Sequence, residues 1–347
     1  MRKPAVWALD FGEESVIALA AEEKDPGEWT LLGSGQARAR GVKNGEIEKL
    51  TDAVESVVEA LRMAERNARR RCVWLYYNFD DAGMESAHPR GAKTLVGEGQ
   101  IGRPDVREAA RNAIRLVGDF EKMPVYSREI DYVIDDKDLV GNPLGVFGHR
   151  LDVVLHVLLA RSCHLERWKK LMRRAEVARA IPVPSLVSAF YGVLEKKAVP
   201  AGTQAPRQIV WDLGGDLVSG GVVEKSVLRE YTVFLRGSLS WPDLGARMKA
   251  LSRLWADEYN ILEPLVLTGD LAGQPNSFQR LSEEIGLPAV SAAPTGFSTL
   301  TDPKYASVAG LLKVAMESQR ARPGAKTQRD LVGQVRDKAS ALMQEYF

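Results

Sequence analysis

The chain has little cysteine, almost no net charge and no long apolar segment. Its two cysteines, Cys72 and Cys163, form no metal-binding spacing and argue against a disulfide framework, which predicts a reducing compartment. A formal net charge of +1 gives no general reason to expect nucleic-acid binding. The apolar run from Leu151 to Ala160 is half a membrane span, and the run after Met1 is too short for a signal peptide. We therefore expect a cytoplasmic protein.

Histidine is also scarce. The four histidines show no pair at metal-binding spacing, and no Ser-His-Asp or Cys-His set can be assembled from the sequence. His156 lies in an alternating strand-like run, and we interpret it as an interior histidine. The sequence thus predicts neither a catalytic residue nor a set of metal ligands.

The composition indicates a folded protein with two lobes. Its 347 residues exceed one core of ordinary size, and 45% hydrophobic with 27% charged residues is typical of globular chains. Residues 5–38 predict three strands, residues 51–70 a helix, and residues 72–79 a buried strand. The order β-β-β-α-β returns after residue 208, with a helix from Trp241 and a strand ending at Thr268. The repeat predicts two related α/β lobes.

Between the lobes lies a segment that the repeat does not require. We expect a helix at 103–118 and strands near 125–135 and 151–159, with a turn at Gly-Asn-Pro 141–143. We interpret this segment as an inserted small α+β subdomain. Helices at 167–174 and 184–195 are expected to cross to the second lobe.

A Gly-rich turn follows one strand in each lobe. Such turns can bring backbone N–H groups close to a phosphate, because no Cβ blocks the approach. The actin and sugar-kinase superfamily grips nucleotide phosphates with two hairpins of this kind. The candidate nucleotide-binding residues of these turns are Asp10, Gly12, Asp212, Gly214 and Gly215.

Acidic residues stand at the tips of these turns, namely Glu13, Glu14 and Asp216. A carboxylate about 4 Å from a phosphate charge is unfavourable by roughly 1 to 4 kcal/mol. Two alternatives stay open: the carboxylates can hold Mg²⁺, and Asp10 and Asp212 can serve only to cap local backbone amides. We expect no cofactor, or weak binding of ATP with Mg²⁺.

Two helical segments, ALRMAERNARRR and RWKKLMRRAEVAR, carry clustered cations. Nucleic acid or acidic lipid could bind such clusters. Acids elsewhere balance the charge, however, and no aromatic platform accompanies the cations. We interpret both segments as solvated faces and expect no nucleic-acid partner.

The end of the chain differs from the rest. A basic linker at 319–330 precedes apolar residues that recur at helical spacing over 331–347. We expect an amphipathic helix there, which binds a membrane, packs on a partner protein, or frays. The residues assigned to this contact are Leu331, Val335, Leu342, Met343, Tyr346 and Phe347.

With these features located, the sequence resembles the FtsA family of bacterial cell-division proteins. The stretch NPLGVFGHRL, from Asn142, is similar to the motif that closes the family's inserted SHS2 subdomain. GVKNGEIEKL, from Gly41, resembles its strand-to-helix passage, and the turns at Asp10 and Leu265 resemble its phosphate and adenosine turns. The resemblance implies that Ser15, Thr268 and Gly269 also belong to the candidate nucleotide site. The resemblance covers most of residues 4–317. It implies an actin-like, ribonuclease H-like fold.

Departures from the family pattern qualify the function that the resemblance implies. Only about thirty residues separate Gly237 from Thr268, where the family places most of subdomain 2B and its FtsZ-docking surface. This shortening argues against direct FtsZ binding. The acidic turns and Asp270, in the adenosine turn, argue for a degenerate nucleotide site.

The resulting expectation is a non-catalytic scaffold of the division machinery, peripheral on the cytoplasmic face of the inner membrane and capable of self-association. The alternatives are a PilM-like platform of a type IV pilus or secretion complex, and a working actin-superfamily ATPase. The expected boundaries are 1–79 and 161–200 for lobe one, 80–160 for the insert, 201–318 for a reduced lobe two, 319–330 for the linker and 331–347 for the helix.

Overall fold

The computed structural model describes residues 5–25, 28–194 and 206–320, and the chain divides into two units. Within the described residues the first unit comprises 5–82 and 164–320, and the second comprises 83–163. Each unit has its own sheets and its own core. No helix in the described part of the chain combines the length and the apolarity needed to cross a membrane.

The elements follow in chain order. The first unit begins with β1 (Val6–Phe11), β2 (Ser15–Asp25), β3 (Glu28–Arg38), β4 (Val42–Lys43), β5 (Glu46–Ile47), α1 (Leu50–Ala68) and β6 (Trp74–Phe79). The second unit contains β7 (Glu85–Ala87), β8 (Arg90–Gln100), α2 (Arg103–Ile114), β9 (Lys122–Ile134), β10 (Asp138–Val140) and β11 (Phe147–Arg161). The first unit resumes with α3 (Ser162–Arg174), β12 (Arg179–Pro184), α4 (Ser185–Val193), β13 (Arg207–Leu213), β14 (Leu217–Glu224), β15 (Val227–Leu228), β16 (Thr232–Leu235), α5 (Trp241–Tyr259), β17 (Leu265–Thr268), α6 (Asp270–Gly273), α7 (Pro275–Ile285), β18 (Ala289–Ser291) and α8 (Ala306–Arg320).

The two lobes of the first unit have sheets of the same topology. Lobe one has the strand order β12-β6-β1-β2-β3, and lobe two has β18-β17-β13-β14, with β15 and β16 also pairing with β14. In both, the central strand is antiparallel to the next strand in sequence and parallel to the strand after the first long helix. β1 is buried along its whole length, as expected for a strand covered on both faces. The predicted repeat of two α/β lobes is confirmed.

Two helices are exchanged between the lobes. Helix α8, which follows lobe two, packs on β1, β2 and β6 of lobe one, whereas α4, which follows lobe one, packs on β13 and β14. The helices cross at small residues: a Cβ on Gly310 would stand 1.6 Å from the carbonyl oxygen of Ser188. At the crossing, the hydroxyls of Ser188 and Ser307 lie 2.9 Å apart. This crossing joins the lobes through direct contact between the two helices.

The second unit is a small α+β module. Its strand β11 pairs with β9 on one side and with β7 and β8 on the other, and β10 extends the sheet beyond β9. Helix α2 covers one face of the sheet, with Ala109, Ala113 and Ile114 fully buried against Leu151 and other residues of β11. The sequence predicted this helix and two of the longer strands of the sheet.

The structure corrects several sequence predictions. Strand β12 was not predicted, because Pro182 and Pro184 interrupt its pattern; β12 is an edge strand, where the missing N–H groups leave few ladder bonds unmade. Helix α3 begins at Ser162 rather than 167, and α2 ends at Ile114 rather than 118, where the chain turns towards β9. The segments at 321–330 and 331–347 lie outside the described residues.

Candidate functional site

Two turns, one from each lobe, border a small cavity in the first unit. The turn at 12–14 joins β1 to β2, and the turn at 214–216 joins β13 to β14. The cavity has a volume of about 100 Å³, and Asp10 and Asp212 line it from the ends of β1 and β13. Other lining residues include Asn78, Asp80, Gly269, Asp270, Lys304 and Ser307.

The side chain of Glu13 lies directly against Gly215 of the opposite turn. A Cβ at position 215 would stand 1.5 Å from Glu13 Oε2 and 2.6 Å from its carboxyl carbon. A side chain at position 215 would therefore require the Glu13 side chain to move away. The Glu13 carboxylate occupies the place where backbone access to a phosphate requires an open glycine.

Further contacts tie the second turn to lobe one and to its own lobe. The backbone N–H of Asn44 donates a 2.6 Å hydrogen bond to Asp216 Oδ2. A Cβ on Gly45 would lie 2.7 Å from Leu217 Cδ1, so these two residues are packed closely. The Arg236 side chain donates through Nε to the carbonyl oxygen of Gly215 at 2.5 Å. We call the contacts of Glu13, Asn44 and Gly45 with residues 215–217 the interlobe latch.

Burial shifts the titration of the carboxyl groups around the cavity. Burial, and after it the neighbouring charge of Asp270, raises the pKa of Asp10 to about 7. Burial raises the pKa of Asp80 and of Asp270 to about 6. The pKa of Asp212 lies well above its ordinary value because of burial and then the charges of Asp80 and Asp10. Each of these groups therefore releases its proton at a higher pH than an exposed carboxyl does.

The cavity is a poor fit to nucleotide phosphates. Its volume is below the 300 to 1,000 Å³ of common ligand pockets. Among the described residues that line it are six carboxyl groups, and Lys304 is the sole cation. A phosphate would meet acidic groups that repel it and a glycine that Glu13 already covers.

The structure brings most of the predicted nucleotide residues to one place. The residues from the predicted set that line the cavity are Asp10, Gly12, Asp212, Gly214, Gly215 and Gly269. Ser15 begins β2, where its carbonyl oxygen accepts the Gly12 N–H at 3.0 Å. Thr268 is fully buried, and its hydroxyl donates to the carbonyl oxygens of Ala292 and Pro303.

Sequence reasoning missed several residues of the site. Asn78 exchanges hydrogen bonds with the backbone of Phe11: its Oδ1 accepts the N–H at 2.7 Å, and its Nδ2 donates to the carbonyl oxygen. Asp80 Oδ1 accepts the N–H of Ser185 at 3.2 Å. One signal could have indicated these two residues: β6 runs parallel to β1, and continuing their register places Asn78 level with Asp10 and Asp80 level with Gly12.

The alternative of a bound Mg²⁺ gains no ready-made ligand set. Across residues 5–25, 28–194 and 206–320, no three His, Cys, Asp or Glu side chains are grouped to hold a metal ion. The predicted contact residues of the tail, from Leu331 to Phe347, lie outside the described residues.

The comparison with known proteins gives a family match for the second unit. A family model described as the SHS2 domain inserted in FtsA matches residues 82–159. Over a longer span the chain is 24% identical to the cell division protein FtsA of Neisseria meningitidis across 288 residues, and 22% identical to that of Pseudomonas aeruginosa across 307. These alignments cover 82% and 86% of this chain, but only 66% and 70% of the relatives.

The chain is thus considerably shorter than these relatives. The chain is 24% identical to Escherichia coli FtsA over 233 residues. This alignment covers 66% of this chain and 53% of that protein. Among solved structures, a PilM-PilN type IV pilus biogenesis complex superposes with a TM-score of 0.61, at 12% identity, over 90% of this chain and 99% of that one. At that identity the superposition shows a shared actin-like fold and nothing further.

Proposed function

We propose that the chain is an FtsA-like protein that serves as a non-catalytic scaffold of the cell-division machinery. Its relatives at 22 to 24% identity are cell division proteins, and its second unit matches their SHS2 domain. The scaffold would act on the cytoplasmic face of the inner membrane. Its partners would be other proteins of the same machinery, and possible self-association belongs to the same proposal.

The observation that carries the non-catalytic part is the interlobe latch. Actin-like proteins join two lobes across a nucleotide, whereas here Glu13 reaches across to Gly215 and Asn44 holds Asp216. Lobe closure would then need no bound ligand. The α4–α8 crossing supports the same view, because it couples the lobes through small residues alone.

The shortened second lobe supports a changed partner set. Between Arg236 and Leu265 the structure contains one short turn and one long helix, α5. The family subdomain expected in this place carries the FtsZ-docking surface, so direct FtsZ binding would be lost. A scaffold of this kind would reach the division machinery through its SHS2-like unit instead.

The tail would provide the membrane tether. One short helix buries little apolar area, so we expect a monomer to bind marginally and an assembly to bind strongly. Truncation after Glu317 should release the protein from vesicles containing phosphatidylglycerol without lowering its Tm. Equal vesicle binding before and after truncation would remove the tether, and a lower Tm would show that the helix packs on the body.

The test of the function itself is cellular. A fluorescent fusion expressed at native level should form a band at midcell, and depletion should produce filamentous cells. A catalytically intact actin-like ATPase is the alternative that titration addresses: sub-micromolar ATP affinity with Mg²⁺ would overturn the non-catalytic proposal.

A second candidate is a cytoplasmic platform of a pilus or secretion complex. The fold that the chain shares with the PilM-PilN complex is compatible with this role and does not by itself distinguish it from the first. Deletion would then abolish surface pili or secretion and leave cell length unchanged. Filamentation with normal piliation would exclude this candidate.

A further inference from the structure

An arginine-rich surface lies at the end of the lobe-one sheet where the parallel strands β6 and β12 begin. Helix α1 ends five residues before β6, and α3 ends four residues before β12. β6 and β12 are adjacent and parallel, and Arg179 pairs with Trp74 in their register. The C-terminal ends of α1 and α3 therefore lie at the same end of the sheet.

Seven arginines at this end of the sheet are exposed. Within the described residues, no carboxylate forms an ion pair with any of them, although the whole chain carries a net charge of only +1. Arg70, between them, is instead paired with Glu22 at 2.8 Å. We call the exposed set the arginine edge: Arg62, Arg66, Arg69, Arg71, Arg173, Arg174 and Arg179.

Part of the arginine edge is concave. Arg62, Arg66, Arg69 and Arg71 line a shallow depression of about 560 Å³, together with Arg70 and Glu65. The Glu65 carboxylate is engaged by the N–H of Cys72 at 2.7 Å. Cations in the last turn of a helix are favoured by its dipole. That effect accounts for Arg66, Arg173 and Arg174, which lie in the last turns of α1 and α3, but not for the other arginines of the set.

The chemistry of the surface selects phosphate groups. Guanidinium groups bind phosphate oxygens through two parallel hydrogen bonds, which ammonium groups cannot do. Val73 stands among the arginines with 61% of its surface exposed, an apolar side chain that suits the boundary between headgroups and acyl chains. Trp74 is half-buried and packs edge-on against Tyr76, with ring centroids 5.7 Å apart. It is therefore not the fully exposed aromatic ring on which bases stack in single-strand binding proteins.

We infer that the arginine edge is a membrane contact that binds the phosphate groups of anionic phospholipids. This inference extends the proposed peripheral location. It rests on the proposed function only because it requires a bilayer close to the protein. The contact is separate from the tail, and it orients lobe one with the starts of its parallel strands towards the bilayer.

The test uses the full chain and sedimentation with vesicles of phosphatidylcholine and phosphatidylglycerol at 7:3. The variant R66Q/R69Q/R71Q should bind about a hundredfold more weakly, since each basic residue near an anionic surface contributes about fivefold. The matched control R103Q/R107Q/R111Q removes three exposed arginines of α2 and should bind like the wild type. R66K/R69K/R71K should lie between, because charge is kept and bidentate binding is lost.

Several results would overturn the inference. They are unchanged binding of the R66Q/R69Q/R71Q variant, an equal loss in the α2 control, or loss of affinity for a labelled 20-nucleotide single strand with vesicle binding intact. Should the triple variant melt at a lower temperature, the single change R71Q must still weaken vesicle binding about fivefold.

The tail truncation separates this inference from the proposed function. Truncation that abolishes binding, with a wild-type response of the arginine variant, would overturn the inference and leave the tether. Binding that survives truncation but is lost with the arginines would support the inference and remove the tether.

Discussion

The two turns that face the cavity occupy equivalent places in the two lobes, and they differ at the position where they touch. Phe11 pairs with Val16, and Leu213 pairs with Val218, so Glu13 corresponds to Gly215. At this position lobe one has the long acidic side chain of Glu13, and lobe two has Gly215, which has no side chain. An open cradle for phosphates needs small residues in both turns. Because of this difference, the two turns contact each other through Glu13 and Gly215 and do not form an open cradle.

The lobes also differ in what interrupts them. Lobe one carries the 83–163 unit between β6 and α3, whereas lobe two has only the short helices α6 and α7 between β17 and β18. The sheets nevertheless keep the same strand order. Sheet topology is therefore independent of the insert, and the lobe repeat can be tested separately from it.

The largest expected effect comes from the helix crossing that both lobes share. In G310A the new Cβ would stand 1.6 Å from the Ser188 carbonyl oxygen and 2.7 Å from the Gly192 nitrogen, both backbone atoms. Helices α4 and α8 must then separate. We expect a loss of about 3 kcal/mol in the free energy of unfolding, and a fall in Tm of roughly 6 to 12 °C.

The control is G237A, because the nearest atom to its Cβ would be Asn44 Oδ1 at 4.0 Å. Its Tm should stay within two degrees or so of the wild type. Thermal unfolding followed by circular dichroism compares the two variants. If the Tm of G310A equals that of G237A, the crossing does not hold the lobes together.

The second prediction makes the two turns alike. The changes E13T, D216G and D270G together remove three carboxylates and open Gly215, so affinity for ATP with Mg²⁺ should rise at least about tenfold. Isothermal titration calorimetry measures it. The surface control E48T/E258T/E283T removes the same charge away from the cavity, and an equal gain there would show that only net charge matters.

The third prediction concerns pH and Asp10. Its folded pKa of about 7 lies above the ordinary value of 3.8, so its contribution to stability is complete below pH 3.8 and is lost as the pH rises through 7. The wild type should therefore lose stability between pH 5 and pH 8. D10N should flatten this profile by on the order of 2 to 4 kcal/mol at most, because the amide does not titrate.

Melting temperatures at pH 5, 6, 7 and 8 provide the measurement. D257N, at an exposed position of α5, is the matched control and should keep the wild-type slope. A slope that is the same in D10N and the wild type would contradict the buried, proton-holding state of Asp10.

The sequence was informative where the signal is local. The ends of buried strands located Asp10 and Asp212, and the motif at Asn142 located the insert. The latch was not predictable, because the hydrogen bond of Asn44 to Asp216 joins residues 172 positions apart. Glu13 was identified as a charge near phosphates, but the residue that it faces depends on how the lobes close. Strand β12 was hidden by its prolines, whose cost depends on a place at the sheet edge.

The smallest expected effect on the core comes from removing the insert. Lobe two folds around β17 and β18 without such a unit, and the 83–163 unit has its own buried cluster around Leu151 and Ile114. Replacing residues 83–163 with a short Gly/Ser linker should therefore leave a cooperative unfolding transition within a few degrees of the wild type. Self-association, measured by sedimentation velocity, or capture of partners should be abolished. A chain that no longer unfolds cooperatively would show that the lobes depend on the insert, and the independence of sheet topology from it would then be wrong.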